Sequence, residues 1–248
     1  MKLFGLVGKT LTHSFSKNYF QEKFARERLA DCKYENFELP AIDDLPLLIT
    51  SNPDLRGVNV TIPYKEDVVA MLDDKNEIVE EIKACNCVRI DDGKLSGFNT
   101  DVIGFRQSIE PKLERHHKKA LILGTGGASK AIAYVLTQLG IEYCFVSRQK
   151  VENELGYEDV GDDVLRNYHL IINTTPLGMY PNVDSDPQIP YQYLTSKHFL
   201  FDLVYNPEKT KFLIEGQKRG AQIENGYEML ILQAEESWRI WNQLTNTA

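Results

Sequence analysis

Apolar and polar positions follow two alternating periods along this chain of 248 residues. Short stretches in which apolar residues alternate or run together indicate strands, and longer stretches with apolar residues three or four apart indicate helices. In the first part of the chain these patterns predict, in order, KLFGLVG (strand), KNYFQEKFARERLA (helix), KYENFEL (strand), DDLPLLITS (short helix) and GVNVTI (strand). Strands separated by helices pair in parallel, so this part is predicted to be a layered α/β domain.

The strand GVNVTI runs into Pro63, which cannot donate to a strand ladder and therefore ends it. The two acids that follow Lys65 suit the first turn of a helix, which the apolar pattern continues through Leu72. Lys65 is thus predicted to lie at a strand-to-helix junction, at the end of a sheet.

The rest of the chain predicts a hairpin and then a second α/β unit. Asp92-Gly93 is a strong hairpin signal between ACNCVRI and KLSGFNTD. The later predicted strands and helices are KKALILGTGGASKAIAYVLTQLG (strand, turn, helix), EYCFVSR, YHLIINTTPLGM and HFLFDLVYN (strands), and NGYEMLILQAEESWRIWNQL (one amphipathic helix or a pair). The linker-like EPKLERHHKK marks a boundary near residues 102–118. We predict two domains, residues 1–101 with 226–248 and residues 102–225, the second with fewer strands than a full doubly wound sheet.

Composition excludes several classes of function. The net charge of −8 argues against a nucleic-acid partner, and no apolar run approaches the length of a membrane span. The N-terminal apolar stretch is too short for a signal peptide, so a cytoplasmic protein is expected. The four cysteines and five histidines lack zinc spacing, and no metal is predicted. We expect His116 and His117 to lie in an exposed basic linker and His169 and His198 to stand alone.

The segment GTGG has the features of a phosphate-binding turn. A strand, a glycine turn and a helix N-terminus together let backbone N–H groups approach a pyrophosphate. Gly124 and Gly126 fit the dinucleotide fingerprint, whereas Ser129 occupies the third glycine position. A tight structural turn is the alternative. About 20 residues on, where an acid would favour NAD, the chain has Ser147, Arg148, Gln149 and Lys150, so the sequence predicts NADP, with Arg148 as the better phosphate partner.

Polar side chains recur at the predicted strand ends of the first domain. They are Ser14 and Ser16, then Asn59, Thr61 and Lys65, then Asn86 and the segment 98–101. Each group alone is typical of a turn or a helix cap. Together they lie where open parallel sheets bind ligands, which favours a substrate site.

These motifs give the chain a resemblance to the shikimate dehydrogenase family over nearly its whole length. The shared stretches are GKTLTHSFS, GVNVTIPYKE, KACNCV with GFNTDVIGF, GTGGASKA, NTTPLGM, DLVYNPEKTKFL and NGYEMLILQAEESW. The resemblance implies an α/β fold with a substrate domain built on a mostly parallel sheet and a Rossmann-like NADP domain. It also implies reversible, NADPH-dependent reduction of 3-dehydroshikimate to shikimate in aromatic amino-acid biosynthesis, by a monomer or a homodimer.

The resemblance further implies roles for individual residues. Lys65 and Asp101 would form an acid–base pair that shares the hydroxyl proton, and which of them accepts it stays open. The implied substrate residues are Ser14, Ser16, Asn59, Thr61, Asn86, Tyr205 and Gln233. The implied cofactor residues are Gly124, Gly126, Gly127, Ala128, Ser147, Arg148, Lys150, Thr174 and Gly226, with the loop 173–179 bordering the nicotinamide.

Two departures from the family pattern and two rival functions remain. Lys17 follows Ser16 where the family has proline, with Tyr19-Phe20 in place of its histidine-asparagine, and Ser147-Arg148-Gln149 replaces Asn-Arg-Thr.

One rival function is that of a relative that oxidises quinate or uses NAD, since nothing in the sequence excludes the extra hydroxyl of quinate. The other is a ligand sensor without catalysis on the same fold, against which the presence of both Lys65 and Asp101 argues.

Overall fold

A computed structural model describes residues 1–11, 15–150 and 154–243. The chain divides into two compact units, residues 1–100 with 234–248 and residues 101–233. Its helices and strands are, in order, β1 (Lys2–Gly8), α1 (Phe15–Arg26), β2 (Cys32–Glu38), α2 (Leu45–Ser51), β3 (Leu55–Val60), β4 (Asp74–Lys75), α3 (Glu77–Ile82), β5 (Cys87–Asp91), β6 (Lys94–Phe98), α4 (Thr100–Ile109), β7 (Lys119–Leu123), α5 (Gly127–Gln138), β8 (Glu142–Ser147), β9 (Leu155–Gly156), α6 (Asp162–Leu165), β10 (Leu170–Asn173), β11 (Phe199–Asp202), α7 (Lys211–Lys218), β12 (Gln222–Glu224) and α8 (Tyr227–Trp241). The α/β fold predicted from the sequence is confirmed.

The sheet of the first unit is mixed, with strand order β2-β1-β3-β5-β6-β4. Strand β1 pairs in parallel with β2 and β3, while β5 is antiparallel to both β3 and β6. The predicted hairpin is present between β5 and β6, and its turn residues Asp92 and Gly93 have φ values of 48° and 82°. Positive φ at both positions is what a two-residue hairpin turn requires.

An aromatic cluster fills one face of this sheet. Phe20 of α1 stacks on Tyr34 of β2 with ring centroids 4.5 Å apart, and Phe4 of β1 stacks on Trp241 of α8 at 5.0 Å. Trp241 also donates its indole N–H to the carbonyl of Val88 at 3.1 Å. The C-terminal part of α8 therefore belongs to the core of the first unit.

The sheet of the second unit is wholly parallel, with strand order β12-β11-β10-β7-β8-β9. This is the doubly wound order, and its crevice for ligands opens at the carboxyl ends of β7 and β10, where the order reverses. Our expectation of fewer strands than the full set is wrong. The edge strand β9 has two residues and β12 has three, too few for a period to be visible in the sequence.

The histidines correct a second expectation. His117 and His198 are buried, and four histidine rings form a row in the order His117, His116, His169 and His198, with neighbouring centroids 4.2–5.5 Å apart. These residues precede β7, β10 and β11, and parallel strands bring their amino ends to one edge. Histidines from three separate parts of the chain thus form one cluster at the amino end of the second sheet.

Candidate functional site

The segment around Lys65 follows the carboxyl end of β3 and is held from both sides. The ring of Tyr64 is buried, and its hydroxyl donates to the carbonyl of Leu39 at 2.7 Å. The carbonyl of Lys65 accepts the N–H of Cys85 at 2.7 Å. These contacts fix the backbone on which the half-buried Lys65 side chain is mounted.

The helix predicted to begin at Tyr64 does not form there. Residues 64–66 make a turn, and a 3₁₀ helix covers Asp67–Met71. The carbonyl of Lys65 accepts the N–H of Cys85, a residue outside the segment, while the N–H of Val69, which would bond to Lys65 in an α-helix, donates to the carbonyl of Glu66 at 3.1 Å. Tertiary contacts therefore override the local pattern.

Asn59, at the end of β3, lies at the centre of a buried hydrogen-bond chain. Its Oδ1 accepts from the Tyr34 hydroxyl at 3.0 Å, and its Nδ2 donates to Ser237 Oγ at 2.8 Å and to the carbonyl of Asn86 at 3.3 Å. Ser16 of α1 is hydrogen-bonded to the Tyr34 hydroxyl. The chain thus brings together three predicted substrate residues, Ser16, Asn59 and Asn86.

The side chain of Asn86 caps α4. Its Oδ1 accepts the N–H of Thr100 at 2.6 Å, its Nδ2 donates to Thr100 Oγ1 at 3.0 Å, and that hydroxyl lies 3.2 Å from Ser237 Oγ. Asp101 follows directly, buried in the first turn of α4, where the positive end of the helix dipole stabilises a carboxylate. The capped helix start thus fixes the backbone that carries Asp101.

The remaining predicted substrate residues are placed as follows. Thr61 is half-buried directly after β3, and its N–H donates to the carbonyl of Val7 at 2.9 Å. Gln233 is buried in α8, with Nε2 donating to the carbonyl of Leu230 at 2.9 Å. Tyr205 is half-buried after β11. Ser14 lies outside the described residues.

The glycine turn between β7 and α5 has a geometry that suits a phosphate. Gly124 has φ +104°, and a Cβ there would lie 2.9 Å from Thr174 Oγ1, so a larger residue would be strained and crowded. Gly126 precedes the 12-residue helix α5 and is exposed, and a Cβ there would meet nothing within 4 Å. Gly127 and Ala128 form the first turn of α5, where N–H groups have no intrahelical acceptor. Open space in front of such N–H groups fits a pyrophosphate.

Ser129 compensates for the missing third glycine. It is buried, and its hydroxyl donates to the carbonyl of Gly126 at 2.7 Å. The side chain folds back on the turn instead of projecting into the space before the helix.

The end of β8 presents the charges predicted for the ribose end of the cofactor. Ser147 is buried, and its hydroxyl lies 2.8 Å from the carbonyl of Gln149 and 3.0 Å from Glu154 Oε2. Arg148 is exposed. Lys150 forms an ion pair with Asp159 at 2.7 Å, and that hydrogen bond raises the pKa of Lys150. Because Lys150 already has an acidic partner, Arg148 is the better placed cation for a phosphate.

Sequence reasoning missed Asp202, the last residue of β11. It is fully buried, and its carboxylate accepts hydrogen bonds from Asn173 Nδ2 at 2.9 Å, the N–H of Val204 at 3.0 Å and Thr210 Oγ1 at 2.5 Å. Burial raises the pKa of Asp202 to about 7, opposed by these three donors. An acid directly after the apolar run Phe199–Phe201 was the available signal.

Gly226 lies against the same segment. Its N–H donates to the carbonyl of Val204 at 3.2 Å, and a Cβ there would come within 2.1 Å of the carbonyl oxygen of Leu203. Only glycine fits this approach of two backbones. Gly226 thereby helps to hold the residues that follow Asp202.

Residues 1–11, 15–150 and 154–243 contain no group of three or more histidine, cysteine, aspartate or glutamate side chains arranged to hold a metal ion. Within the same ranges, every helix is too short or too polar to cross a membrane.

Comparison with known proteins identifies the family. The family model described as the shikimate dehydrogenase substrate binding domain matches residues 6–88. A protein named shikimate dehydrogenase (NADP(+)) from Caldicellulosiruptor bescii is 38% identical over an alignment of 263 positions, which covers 99% of this chain and 91% of that protein. The chain belongs to the shikimate dehydrogenase family.

Solved structures similar to this chain include shikimate dehydrogenase from Thermus thermophilus in complex with NADP(H) and shikimate. That structure has a TM-score of 0.85 and 30% identity, and the match covers 98% of this chain and 94% of the other. Quinate dehydrogenase from Corynebacterium glutamicum in complex with NAD has a TM-score of 0.85 and 26% identity, with the same coverage. The family and the Rossmann-type fold predicted from the sequence are both confirmed. The shikimate dehydrogenase fold thus accommodates proteins crystallised with different nicotinamide cofactors.

Proposed function

We propose that the protein is an NADP-dependent oxidoreductase that interconverts 3-dehydroshikimate and shikimate in the pathway to the aromatic amino acids. The observation that carries the proposal is that Lys65 and Asp101, both on backbone fixed by hydrogen bonds, occur in a chain that matches an NADP-dependent shikimate dehydrogenase over 99% of its length. The phosphate-binding geometry of the turn after β7 supports it.

The first unit would bind the substrate and the second unit the cofactor. The predicted functional domains, residues 1–101 with 226–248 and residues 102–225, remain a proposal. We likewise propose that the protein is a monomer or a homodimer.

NADP would be held at the carboxyl end of the second sheet. The N–H groups of Gly126, Gly127 and Ala128 would bind the pyrophosphate, and Arg148 would bind the 2′-phosphate in a bidentate manner. Lys150 has a lesser role because of its ion pair with Asp159. The further residues proposed to border the cofactor are Gly124, Ser147, Thr174 and Gly226.

The substrate would be held by hydroxyls and amides. The residues proposed for its carboxylate are Ser14, Ser16, Thr61 and Tyr205, and those for its hydroxyls are Asn86 and Gln233. Asn59 supports them, because its amide oxygen and nitrogen are engaged by Tyr34 and Ser237.

Lys65 and Asp101 would handle the hydroxyl proton. An unassisted alkoxide is costly, so a positioned acid–base group should accompany oxidation of the alcohol. When bound, NADP accepts the hydride from the alcohol carbon and NADPH returns it. We propose that Lys65 exchanges the proton directly with the substrate oxygen, and that Asp101 assists this exchange.

The test is an absorbance assay at the NADPH band with shikimate and NADP. We expect the wild-type protein to form NADPH, and Lys65→Ala to lower kcat by about 10²–10⁴ while KM for shikimate changes little. Lys94→Ala is the matched control, since Lys94 is an exposed lysine of the same unit that is paired with Asp74. Near-normal turnover by Lys65→Ala would contradict the assignment of Lys65.

A second candidate function is oxidation of quinate, with NAD as cofactor. It is favoured by the fold similarity to the quinate dehydrogenase in complex with NAD, at a TM-score of 0.85. Comparing kcat/KM for shikimate and quinate with each cofactor decides between the two enzymes. Binding of shikimate without turnover of either acid would instead indicate a ligand sensor.

A further inference from the structure

The carboxylate of Asp202 is buried at the edge of the sheet where the proposed cofactor site lies. Its side chain has no exposure to solvent, and it accepts hydrogen bonds from Asn173 Nδ2, the N–H of Val204 and the hydroxyl of Thr210. A buried carboxylate is costly unless it is hydrogen-bonded, and an apolar residue would pack at this position without that cost. The presence of an acid here therefore calls for a role beyond packing.

The bond to Asn173 determines how that amide is oriented. With its Nδ2 directed to Asp202, the Asn173 Oδ1 accepts from the N–H of Thr175 at 3.1 Å and from the Thr175 hydroxyl at 2.6 Å. The Thr175 hydroxyl in turn accepts the N–H of Leu177 at 3.3 Å. Asp202 thus sets the first link of a series of hydrogen bonds that shapes the start of the loop 173–179.

The bond to Val204 fixes a second segment. Asp202 Oδ1 accepts the N–H of Val204, while the N–H of Leu203 donates to the carbonyl of Asn173 at 3.0 Å. One oxygen atom therefore holds both the loop that follows β10 and the residues that follow β11. Tyr205 is the next residue after this anchored pair.

We propose that Asp202 is a positioning residue that aligns the loop 173–179 and the segment 203–205 for the oxidoreductase reaction. This inference rests on the proposed function, which places the loop beside the nicotinamide and Tyr205 at the substrate carboxylate. Asp202 acts through Asn173 and Val204 and does not itself touch either ligand.

The chemistry of the site predicts which substitutions matter. Oδ1 accepts from both Asn173 and Val204, whereas Oδ2 accepts from the Thr210 hydroxyl, which can rotate to accept instead of donate. An asparagine at position 202 can keep its oxygen toward Asn173 and Val204 and donate its amide N–H to Thr210. Alanine offers no acceptor to any of the three donors.

The principal experiment compares turnover with cofactor binding in Asp202→Ala. Misplacing reacting groups by about 1 Å can cost on the order of 10²-fold in rate. We expect kcat for shikimate oxidation to fall by about 10- to 100-fold. The dissociation constant of NADPH, from fluorescence titration, should rise less than about threefold, because the glycine turn and Arg148 still bind the phosphates.

Two further variants separate positioning from stability. Asp202→Asn should retain kcat within about threefold of wild type, since the shared acceptor is kept. Thr210→Val is the matched control: it removes the third partner of Asp202 and the cap of α7, whose Leu213 N–H lies 3.4 Å from the hydroxyl. It should lower the melting temperature and leave kcat within about twofold of wild type.

A double-mutant cycle tests whether Asp202 acts through the loop. Asn173→Ala should reproduce the loss of kcat seen in Asp202→Ala, and the double variant should be no worse than the poorer single variant. Full additivity would overturn the proposal. So would an unchanged kcat in Asp202→Ala, an equal defect in Asp202→Asn, or an equal kcat loss in Thr210→Val. Asn173→Ala alone keeps the test decisive if Asp202→Ala does not fold.

Failure of the proposed function is distinguishable from failure of this inference. A wild-type protein that oxidises neither shikimate nor quinate overturns the function. The inference is then judged by the emission of bound NADPH, which reports the surroundings of its nicotinamide without turnover. An emission spectrum that is unaltered by Asp202→Ala would overturn it.

Discussion

The two ends of the second sheet both carry polar side chains, but they differ in what those groups leave accessible. At the carboxyl end, Gly126 and Arg148 are exposed in front of the first turn of α5 and beyond β8. At the amino end, the buried ring of His198 accepts the N–H of Thr195 at 3.0 Å and donates to the carbonyl of Leu165 at 2.9 Å. His117 accepts the N–H of Glu114 in the same way, at 2.9 Å.

This difference in accessibility distinguishes a ligand-binding site at the carboxyl end from a structural element at the amino end. Each of these two histidines closes a four-residue turn, since its own N–H also donates to the carbonyl three residues earlier, at 3.0 Å in both cases. Both turns lead into strands of the parallel sheet. A cluster of polar groups whose hydrogen bonds are made within the protein stabilises the fold, whereas exposed N–H groups and a cation at the opposite edge remain available to a ligand.

The largest difference that we expect is between alanine substitutions of two glycines, one at each end of the second sheet. Gly124 has φ +104° and contacts Thr174, whereas Gly140, in the turn before β8, has φ +67° and open space around the position of a Cβ. We expect Gly124→Ala to cost about 2–4 kcal/mol of unfolding free energy and to weaken NADPH binding, because strain and crowding add. Gly140→Ala should cost about 1–2 kcal/mol and leave binding unchanged.

Chemical denaturation and fluorescence titration measure both effects of the glycine substitutions. Equal losses of NADPH affinity in Gly124→Ala and Gly140→Ala would show that the turn after β7 has no special role. The distinction between the two ends of the sheet would then fail.

Arg148 tests the charge at the carboxyl end. In Arg148→Ala, a charge-assisted bidentate contact to the 2′-phosphate is lost. We therefore expect kcat/KM for NADP to fall by about 10- to 100-fold and kcat/KM for NAD to stay within about twofold of wild type. Lys150→Ala is the matched control, and we expect a much smaller change because Lys150 is paired with Asp159. Steady-state kinetics with both cofactors check this. If Lys150→Ala lowered kcat/KM for NADP more than the Arg148 substitution does, Lys150 and not Arg148 would be the phosphate contact.

The histidines at the amino end should make the fold sensitive to acid. Burial is the main cause that lowers the pKa values of His117, His169 and His198. Other charged or titratable groups acting on them are His116, Glu114 and Lys197. A lowered folded-state pKa means that the neutral ring is favoured by folding. This contribution to stability is fully present above the unfolded-state value of about 6.5 and is lost as the pH falls below it.

The variant His198→Gln tests this acid sensitivity, for which we expect the smallest effect. At pH 7 it should cost about 0.5–1.5 kcal/mol, since one hydrogen bond of the ring is lost. Between pH 7 and pH 5, the free energy of unfolding of the His198→Gln variant should fall less than that of wild type, because glutamine does not titrate. His116→Gln, at a partly exposed ring of the same cluster, is the control and should cost less at pH 7. Denaturant titrations at the two pH values measure this, and parallel pH dependence in wild type and His198→Gln would contradict it.

The sequence predicted those features that depend on local pattern. The long strands, the Asp92-Gly93 hairpin, the glycine turn before α5 and the closing helix all have periods or turn residues that are visible in a short window. The sequence pattern placed Lys65 at a strand-to-helix junction and the segment 98–101 at a strand end. In the structure Lys65 lies in a turn after β3, and Asp101 lies in the first turn of α4, a helix that the sequence did not predict. Their chemistry stays a prediction.

Features that depend on tertiary contacts could not be predicted in this way. The histidine cluster joins residues up to 82 positions apart, from His116 to His198, and no window contains it. The role of Asp202 depends on Asn173, which lies 29 residues earlier. The edge strands β9 and β12 exist because a neighbouring strand pairs with them, and their own sequences carry no period.

The indole of Trp241 occupies the space that Gly57 leaves on the first sheet, since a Cβ at Gly57 would come within 2.3 Å of it. This contact has a consequence for synthesis on the ribosome. The second unit is contiguous from residue 101 to 233, whereas the part of the aromatic face that Trp241 covers stays open until residues 234–241 follow. The unit whose chain is made first is thus completed last, and during translation its incompletely covered aromatic face is a surface on which a chaperone could act.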